Sequence, residues 1–402
     1  MFARLGPSAI IRYVLLLAAC ALVSACGVSG GSAPTPTPQP SPHVTPTTNP
    51  LASAAITLVE RSMDTYVSRS LASNVSIPNQ TPSEDLPHYS GGNPYPALAY
   101  GASALSRASL ILRASDPTRA ATYATYASRI ADYLVQHKDD NGDGKTAWGL
   151  PGAWDAFQDG TENPANTDYA FQTGLVSDAL IDVYLVSPNP TYLQTAKDGI
   201  ATFLPLSSAS VDATCANCRY FWYSANANDF SRFVKNTNLL LGSVLARLAL
   251  ITRDAAYMTP AEQVYVTEQY EIASRANFRY LGYNDPKYSP SGVMDAHLAT
   301  EIWALNDIAL ALTAMGSSSG SNRQQLLTAM AAAFWQCGDT CKASLTTDYG
   351  VRVACELAPD DISARQQCQQ AVDLYNAPGA RGLNAFPILG VLRSLTLFGY
   401  HT

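Results

Sequence analysis

The sequence predicts an all-α protein, an (α/α)6 toroid in which helical hairpins form two layers. Three observations lead to this prediction. Apolar residues recur with helical periodicity along almost the whole chain, and strand-like alternation is nearly absent from it. The links between successive predicted helices are alternately short and long. The helices that follow long links are apolar on nearly all sides, whereas their partners have one polar face. The helices that follow long links must therefore form the inner layer, and their partners the outer layer.

The N-terminal segment predicts export. Two arginines precede an apolar run from Tyr13 to Ala25, which is too short to span a membrane and has the order of a signal peptide. The tetrapeptide VSAC that ends at Cys26 resembles the lipobox of bacterial lipoproteins, whose cysteine carries lipid and becomes the mature N-terminus. We therefore predict a signal peptide over 1–25 and lipidation of Cys26. Lipidation of Cys20, or an uncleaved anchor helix, is the alternative.

Residues 26–50 are rich in Pro and Thr and predict an extended tether. Residues 51–402 predict one toroid domain, because no second linker of this composition interrupts them and their length suffices for a large core. The formal net charge of −7 and the absence of basic runs argue against a nucleic-acid partner. We expect a monomer that touches the bacterial membrane through its N-terminal lipid only.

Six cysteines lie in this domain, in the motifs CANC (Cys215, Cys218) and CGDTC (Cys337, Cys341) and at Cys355 and Cys368. An even number in an exported domain favours disulfides, although the sequence does not fix their pairing. A zinc site or a redox-active CxxC motif is the alternative.

Eleven helices are predicted, with a short twelfth near 345–356, and several begin with a recognisable signal. Asp116 and Pro117 precede the third helix, Asn189 and Pro190 begin the fifth, and Thr259 and Pro260 begin the seventh. The eleven predicted ranges are 51–73, 94–113, 118–137, 167–186, 190–203, 236–252, 260–277, 295–314, 322–336, 361–374 and 382–398.

The links from 137 to 167, from 203 to 236 and from 277 to 295 are long and rich in Gly, Asn, Asp, Tyr and Trp. Those that end at 118, 190, 260 and 322 have only a handful of residues, as expected between antiparallel neighbours. In a stack of hairpins, this alternation places every long link on one face, because each precedes a helix of the same direction. That face is the predicted mouth of the site. An irregular helical bundle is the alternative fold.

The segments NTDYAFQTGLVSDALIDVY (166–184) and FVKNTNLLLGSVLARL (233–248) resemble the six-hairpin toroid superfamily of carbohydrate-active enzymes. The resemblance is one of architecture over nearly the whole mature chain, without a diagnostic motif of any single family. It implies a substrate cleft where the inner helices begin, and a glycoside hydrolase acting on a poly- or oligosaccharide, with a lyase or epimerase next. The alternative is a non-catalytic glycan-binding or surface-scaffold lipoprotein.

Sugar hydrolysis requires an acid that donates a proton and a carboxylate that attacks carbon or activates water. The candidates at the predicted mouth are Asp155, Asp168, Asp295 and Glu301, and His297 shares a helix face with Glu301. A lyase or epimerase would instead use Tyr169 or His297 as its base and Arg381 to neutralise a uronic carboxylate. A buried structural pair is the alternative for His297 and Glu301.

Aromatic rings and amides at this mouth suit sugar rings and hydroxyls. For a single residue, loop packing or helix capping is the alternative. The predicted binding residues are Trp148, Trp154, Tyr169, Gln172, Trp222, Tyr223, Asn236, Asn238, Tyr283 and Arg381.

The stretch DDNGDG matches the first half of a calcium-binding loop, with oxygen ligands at Asp139, Asn141 and Asp143 followed by Gly144. The glutamate expected at the twelfth position is replaced by Leu150, and an acid from the following loop would have to substitute: Asp155, Asp159 or Glu162. We predict a structural Ca²⁺ here and no other cofactor. An Asx-rich turn is the alternative.

Overall fold

The computed structural model describes residues 50–70, 94–157, 159–208, 215, 217–230, 233–274, 297–380 and 382–395. The predicted signal peptide and Cys26 lie outside the described residues, as do Tyr283, Asp295 and Arg381. The described residues contain twelve α-helices and one short antiparallel hairpin of β1 (Ser207–Ser208) and β2 (Tyr220–Phe221). The helices are α1 Pro50–Ser70, α2 Pro94–Leu112, α3 Pro117–Gln136, α4 Ala170–Val186, α5 Pro190–Phe203, α6 Lys235–Thr252, α7 Ala255–Ser274, α8 Leu298–Ala314, α9 Arg323–Cys337, α10 Asp348–Leu357, α11 Ile362–Asn376 and α12 Ala385–Ser394.

The six even-numbered helices form a closed inner ring. Each packs on the next, from α2 through α4, α6, α8 and α10 to α12, and α12 packs back on α2. The odd-numbered helices lie outside this ring, each packed on one or two inner helices that are its neighbours in the ring. The structure therefore confirms the two-layer toroid of helical hairpins.

The ring is closed by contacts between the first and last hairpins. The Arg61 side chain donates a hydrogen bond to the Tyr375 carbonyl, and Asn376 Nδ2 donates to the Ala54 carbonyl at 2.8 Å. The backbone N–H of Leu383 donates to Ser62 Oγ at 3.0 Å. These bonds join α1 to α11 and to the start of α12, so the hairpins form a ring and not an open superhelix.

Helix starts follow the capping residues. Asp116 and Asn189 cap α3 and α5 as predicted, because each side chain accepts a hydrogen bond from a backbone N–H of the first turn. The predicted start of the seventh helix is wrong. Helix α7 begins at Ala255, where Asp254 Oδ1 accepts from the N–H of Ala256 at 2.9 Å, and Pro260 lies inside the helix.

The inner helices are less uniformly apolar than predicted, because they carry buried charges that meet inside the ring. Arg107 of α2 and Arg247 of α6 both pair with Asp178 and Asp182 of α4. The second group joins Asp307 of α8, Arg352 and Glu356 of α10, and Arg393 of α12. Among the described residues, four arginines thus balance four carboxylates, which is the condition under which buried charges are tolerated.

All six described cysteines form disulfides, which confirms that prediction. The pairs are Cys215–Cys218, Cys337–Cys341 and Cys355–Cys368. None of these thiols is left as a zinc ligand. Of the helices that the structure describes, none combines the length and the apolar composition needed to cross a bilayer.

Candidate functional site

Two long connectors meet at the N-terminal end of α4. The backbone N–H of Tyr169 donates to the Trp148 carbonyl at 3.2 Å, within the connector 137–169. The N–H of Ala225, in the connector 204–234, donates to the Asp168 carbonyl at 2.9 Å. Residues 167–169 are therefore extended, and α4 begins three residues later than the predicted position 167. Asp168 lies between the connectors, on the face where the inner helices begin.

The local sequence explains this close backbone pairing. A Cβ atom at Gly149 would lie 2.5 Å from the Thr167 carbonyl oxygen, so a residue with a side chain does not fit there. Asn166 adopts φ 60°, a left-handed conformation that asparagine tolerates better than most residues. Its N–H donates to the Leu150 carbonyl at 2.6 Å. Gly149 and Asn166 together fix the backbone that leads into Asp168.

Asp168 has the environment of a proton donor. Its side chain is only 4% exposed, and Oδ1 accepts a hydrogen bond from Asn141 Nδ2 at 3.0 Å. Oδ2 is buried and has no hydrogen-bond partner among the described residues. Burial, and next the negative charge of Asp143, raise the pKa of Asp168 to about 6, against the opposing effects of Asn141 and Lys145.

Three carboxylates lie in the turn 139–144, whose Asn141 binds Asp168, and they differ in how many hydrogen bonds they accept. Asp140 accepts from Tyr95 Oη at 2.5 Å and contacts His137 Nδ1 at 3.0 Å. Asp143 binds the backbone N–H and the ammonium of Lys145 at 2.8 and 3.0 Å. Asp139 Oδ2 accepts from the N–H of Gly144, but its buried Oδ1 has no partner within the described part of the chain. Asp139 is therefore the carboxylate of this turn that retains an unused oxygen.

The predicted calcium ligands also hold the turn together. Asn141 Oδ1 accepts from the N–H of Asp143 at 3.1 Å, and Gly142 and Gly144 adopt positive φ angles. These contacts are those of an Asx-rich turn. In the described ranges, no group of three His, Cys, Asp or Glu side chains is placed to hold a metal ion. The Ca²⁺ site stays a prediction.

Comparison with protein-family models and with curated proteins finds no match. Several solved structures are similar to the whole domain. A family 76 glycoside hydrolase from a bovine Bacteroides thetaiotaomicron strain is 13% identical, with 88% of this chain and 77% of that chain covered and a TM-score of 0.54. A β-1,3-1,4-glucanase from Paenibacillus sp. X4 is 12% identical, with 90% and 94% covered and a TM-score of 0.53. An unsaturated glucuronyl hydrolase from Streptococcus agalactiae is 11% identical, with 88% and 92% covered and a TM-score of 0.51.

The chain has the six-hairpin (α/α)6-toroid fold. Identities of this size establish the fold of the toroid and not its activity. The predicted resemblance in architecture is confirmed.

Four of the aromatic residues predicted to bind sugar are buried in the toroid, and sugar binding by them stays a prediction. Trp148 lies in the main core, where its Nε1 donates to the Leu134 carbonyl at 2.9 Å. Trp154, Tyr169 and Tyr223 pack against one another, with ring centroids 5.4 to 5.9 Å apart. Because these rings fill the space between the two connectors, they hold the loops in place and offer no open face to a ligand.

Trp222 differs from this group because it is only half-buried. It stacks on Phe230 with 4.1 Å between ring centroids, and the Phe230 side chain is 42% exposed. The sequence analysis missed Phe230. Its only signal was an aromatic residue in a polar connector, which does not distinguish an exposed ring from a buried one.

Three further candidates serve the connectors of the toroid. Asn238 is buried, accepts from the N–H of Phe221 at 2.9 Å and donates to the Arg219 carbonyl at 3.1 Å, and so holds β2. Asn236 is also buried and accepts from the N–H of the next residue. Asp155 accepts from the N–H groups of Asp159 and Gly160 and closes a turn. These contacts give Asp155 a structural role, and its catalytic role stays a prediction.

The remaining candidates lie in the first turns of inner helices. Gln172 of α4 is buried and lies about one helical turn after Asp168 in the chain. Its Oε1 has no hydrogen-bond partner in the parts of the chain that are described. The His297 carbonyl accepts from the N–H groups of Thr300 and Glu301 at the start of α8. Glu301 is fully buried there, close to the positive end of the helix dipole.

Proposed function

We propose that this toroid is a glycoside hydrolase that acts on an uncharged poly- or oligosaccharide, with Asp168 as the proton donor. The observation that carries the proposal is the buried carboxyl of Asp168, with a pKa raised to about 6 and an oxygen that the described residues leave without a partner. It lies at the end where the inner helices begin. The names of proteins with a similar fold, among them a glucanase and a glucuronyl hydrolase, support a carbohydrate substrate.

Two carboxyl groups divide the chemistry. Asp168 donates its carboxyl proton to the glycosidic oxygen as the bond to carbon breaks, and Asn141 holds Oδ1 in place. Asp139 is the second carboxylate, which attacks the sugar carbon or removes a proton from the attacking water. Asp140 and Asp143 are disfavoured for this role because both are held by hydrogen bonds to Tyr95, His137 and Lys145.

The negative charge of the connector 137–169 favours an uncharged substrate, and hence a hydrolase over a lyase. This connector contains seven acidic residues and two lysines, so it carries a net charge of −5, and the whole chain carries −7. Such a surface repels a polyuronate, which is the substrate that a lyase or uronate epimerase requires.

We further propose that the protein is exported and anchored by lipid at Cys26. The lipobox-like tetrapeptide supports the anchor, and the three disulfides support an oxidising compartment.

The test is to incubate the protein, with and without Asp168→Asn, with a panel of uncharged and uronate polysaccharides. We expect new reducing ends from an uncharged glycan, without the absorbance of unsaturated products, and a loss of about 10²- to 10⁴-fold in kcat for Asp168→Asn. Asp155→Asn is the matched control, since it removes a carboxylate of the same connector that closes a turn. Unsaturated products would indicate a lyase. Binding without any product would indicate the non-catalytic glycan-binding alternative.

A further inference from the structure

Phe230 is an exposed ring on a rigid support. It is one of three large apolar side chains exposed to this degree among the described residues, and the other two, Ile362 and Leu374, lie on the outer helix α11. A short 3₁₀ turn, Ala227–Asp229, leads directly into it. Single exposed apolar side chains are common on protein surfaces, so Phe230 indicates a site only through the rigid turn that carries it and the residues beside it.

The turn is fixed by buried polar contacts. Asp229 Oδ2 accepts hydrogen bonds from Asn163 Nδ2 and Ser224 Oγ, both at 2.6 Å. Asn226 caps the turn by accepting from the N–H of Asn228 at 3.0 Å. These bonds tie the turn to both long connectors, so the Phe230 ring is presented at a defined position.

The connector that carries this ring is bonded to the backbone of the proposed proton donor. Ser224 pairs with Tyr169, and the N–H of Ala225 donates to the Asp168 carbonyl, so residues 224 and 225, which lie between Trp222 and Phe230 in the chain, flank Asp168. One face of Phe230 is covered by the Trp222 ring at 4.1 Å, which leaves its outer side open to solvent. The exposed side chain of Asn228 lies on the same turn and adds an amide for hydroxyl groups.

We propose that Trp222 and Phe230 form a sugar-binding subsite, in which the apolar face of a pyranose ring stacks on Phe230 and Asn228 hydrogen-bonds to its hydroxyls. The ring of Phe230, supported by Trp222 at an interplanar angle of 35°, supplies the flat apolar face that a pyranose ring requires, and the acidic connector 137–169 favours an uncharged sugar. This subsite extends the proposed hydrolase function and rests on it, because it would bind a sugar unit of the same glycan away from the bond that is broken.

The experiment separates binding from catalysis. In the Asp168→Asn background, calorimetric titration with hexasaccharides of glucose, mannose and xylose measures affinity without turnover. We expect at least one of them to bind, and Phe230→Ala to weaken that binding about 3- to 10-fold, which is the size of a single aromatic contact. Phe230→Tyr keeps the ring and should bind like the parent. Ile362→Ala is the matched control, because it removes an apolar residue that is 72% exposed on the outer helix α11.

In the active protein, Phe230→Ala should raise KM by the same factor on the hydrolysed glycan and leave kcat unchanged. The subsite is disproved if no hexasaccharide binds, if Phe230→Ala binds like the parent, or if Ile362→Ala weakens binding equally. Failure of the hydrolase proposal would look different: Asp168→Asn would then retain activity, or no glycan would be cut, while the titration would still report the effect of Phe230.

Discussion

At the scale of single residues, the environment of Asp168 matters more than its identity. The chain has many acidic residues, but burial and Asp143 raise the pKa of this one, whereas Asn141 and Lys145 lower it. A proton donor is active only while protonated. We therefore expect kcat/KM to fall as the pH rises through the pKa of Asp168, about 6.

Two substitutions should move this limb of the pH profile in opposite directions. Asp143→Asn removes a nearby negative charge and leaves Lys145 unpaired, so the pKa of Asp168 and the limb should shift to lower pH. Asn141→Ala removes the hydrogen bond that stabilises the ionised carboxylate, so the limb should shift to higher pH. The measurement is kcat/KM against pH for each variant, with Asp155→Asn as the unshifted control. Shifts of the same sign would contradict the assignment of Asp168.

The sequence could identify Asp168 but not its partners. It precedes an apolar helix after a long link, and this pattern alone predicts a position at the mouth. The unused oxygen of Asp139 and the burial of Trp148, Trp154 and Tyr223 could not be predicted. The burial of Trp154 and Tyr223 depends on contacts between two connectors that are far apart in the chain, that of Trp148 on the main core, and that of the Asp139 oxygen on the turn around Gly144. Composition gives no information on such contacts.

At the scale of helices and loops, most boundaries were predicted to within a few residues, and the structure explains the two main exceptions. Helix α7 starts early because Asp254 caps it, and the proline signal at Pro260 is overridden. Helix α4 starts late because Asp168 pairs with Gly149 and Tyr169 pairs with Ser224 as extended chain. Local periodicity, from which the helix start was predicted, contains no information about a distant partner such as Ser224.

The disulfides also act at this scale, and their sequence separations predict different effects. Cys355–Cys368 joins α10 to α11 across 13 residues, whereas Cys337–Cys341 spans 4. On the loop-entropy argument, replacing the first pair by alanine should lower the free energy of unfolding by about 3 kcal/mol, and replacing the second by about 2 kcal/mol. Denaturant unfolding of the two double variants is the measurement. A larger effect for the shorter loop would show that packing, and not chain entropy, dominates.

At the scale of the whole molecule, the toroid is held along its axis by ion pairs as well as apolar packing. Asp182 is nearly buried and contacts both Arg107 and Arg247, so it links three inner helices. The sequence indicates these buried charges, because Asp178 and Asp182 are four residues apart in an otherwise apolar helix. The structure is needed to show that their partners are Arg107 and Arg247.

Removing one of these charges should be far more costly than removing a surface charge. Asp182→Asn leaves two arginines without full compensation, and we expect a loss of about 3 to 5 kcal/mol in the free energy of unfolding. Glu60→Gln, which breaks the partly exposed pair with Arg119, should cost no more than about 1 kcal/mol. Equal losses in denaturant unfolding would contradict a structural role for the axial network.

Asp182 of this network also gives stability a pH dependence whose sign follows from its pKa. Burial alone would raise the pKa of Asp182, but Arg107 and Arg247 exceed this effect and lower it. A carboxylate with a depressed pKa in the folded state stabilises the fold at neutral pH. That contribution is lost as the pH falls through the folded pKa, and it should be absent from Asp182→Asn.

The proposed lipid anchor at Cys26 is a prediction about where the whole molecule is located. If the Cys26 thiol carries the lipid, the wild-type chain expressed in bacteria should sediment with membranes and incorporate labelled fatty acid. Cys26→Ser should abolish the label, because serine lacks the thiol to which lipid is attached. Cys20→Ser is the matched control: it alters the other lipobox-like tetrapeptide and should leave both properties unchanged. Loss of label from Cys20→Ser alone would move the anchor to that site, and retention of label in both variants would exclude lipidation at either cysteine.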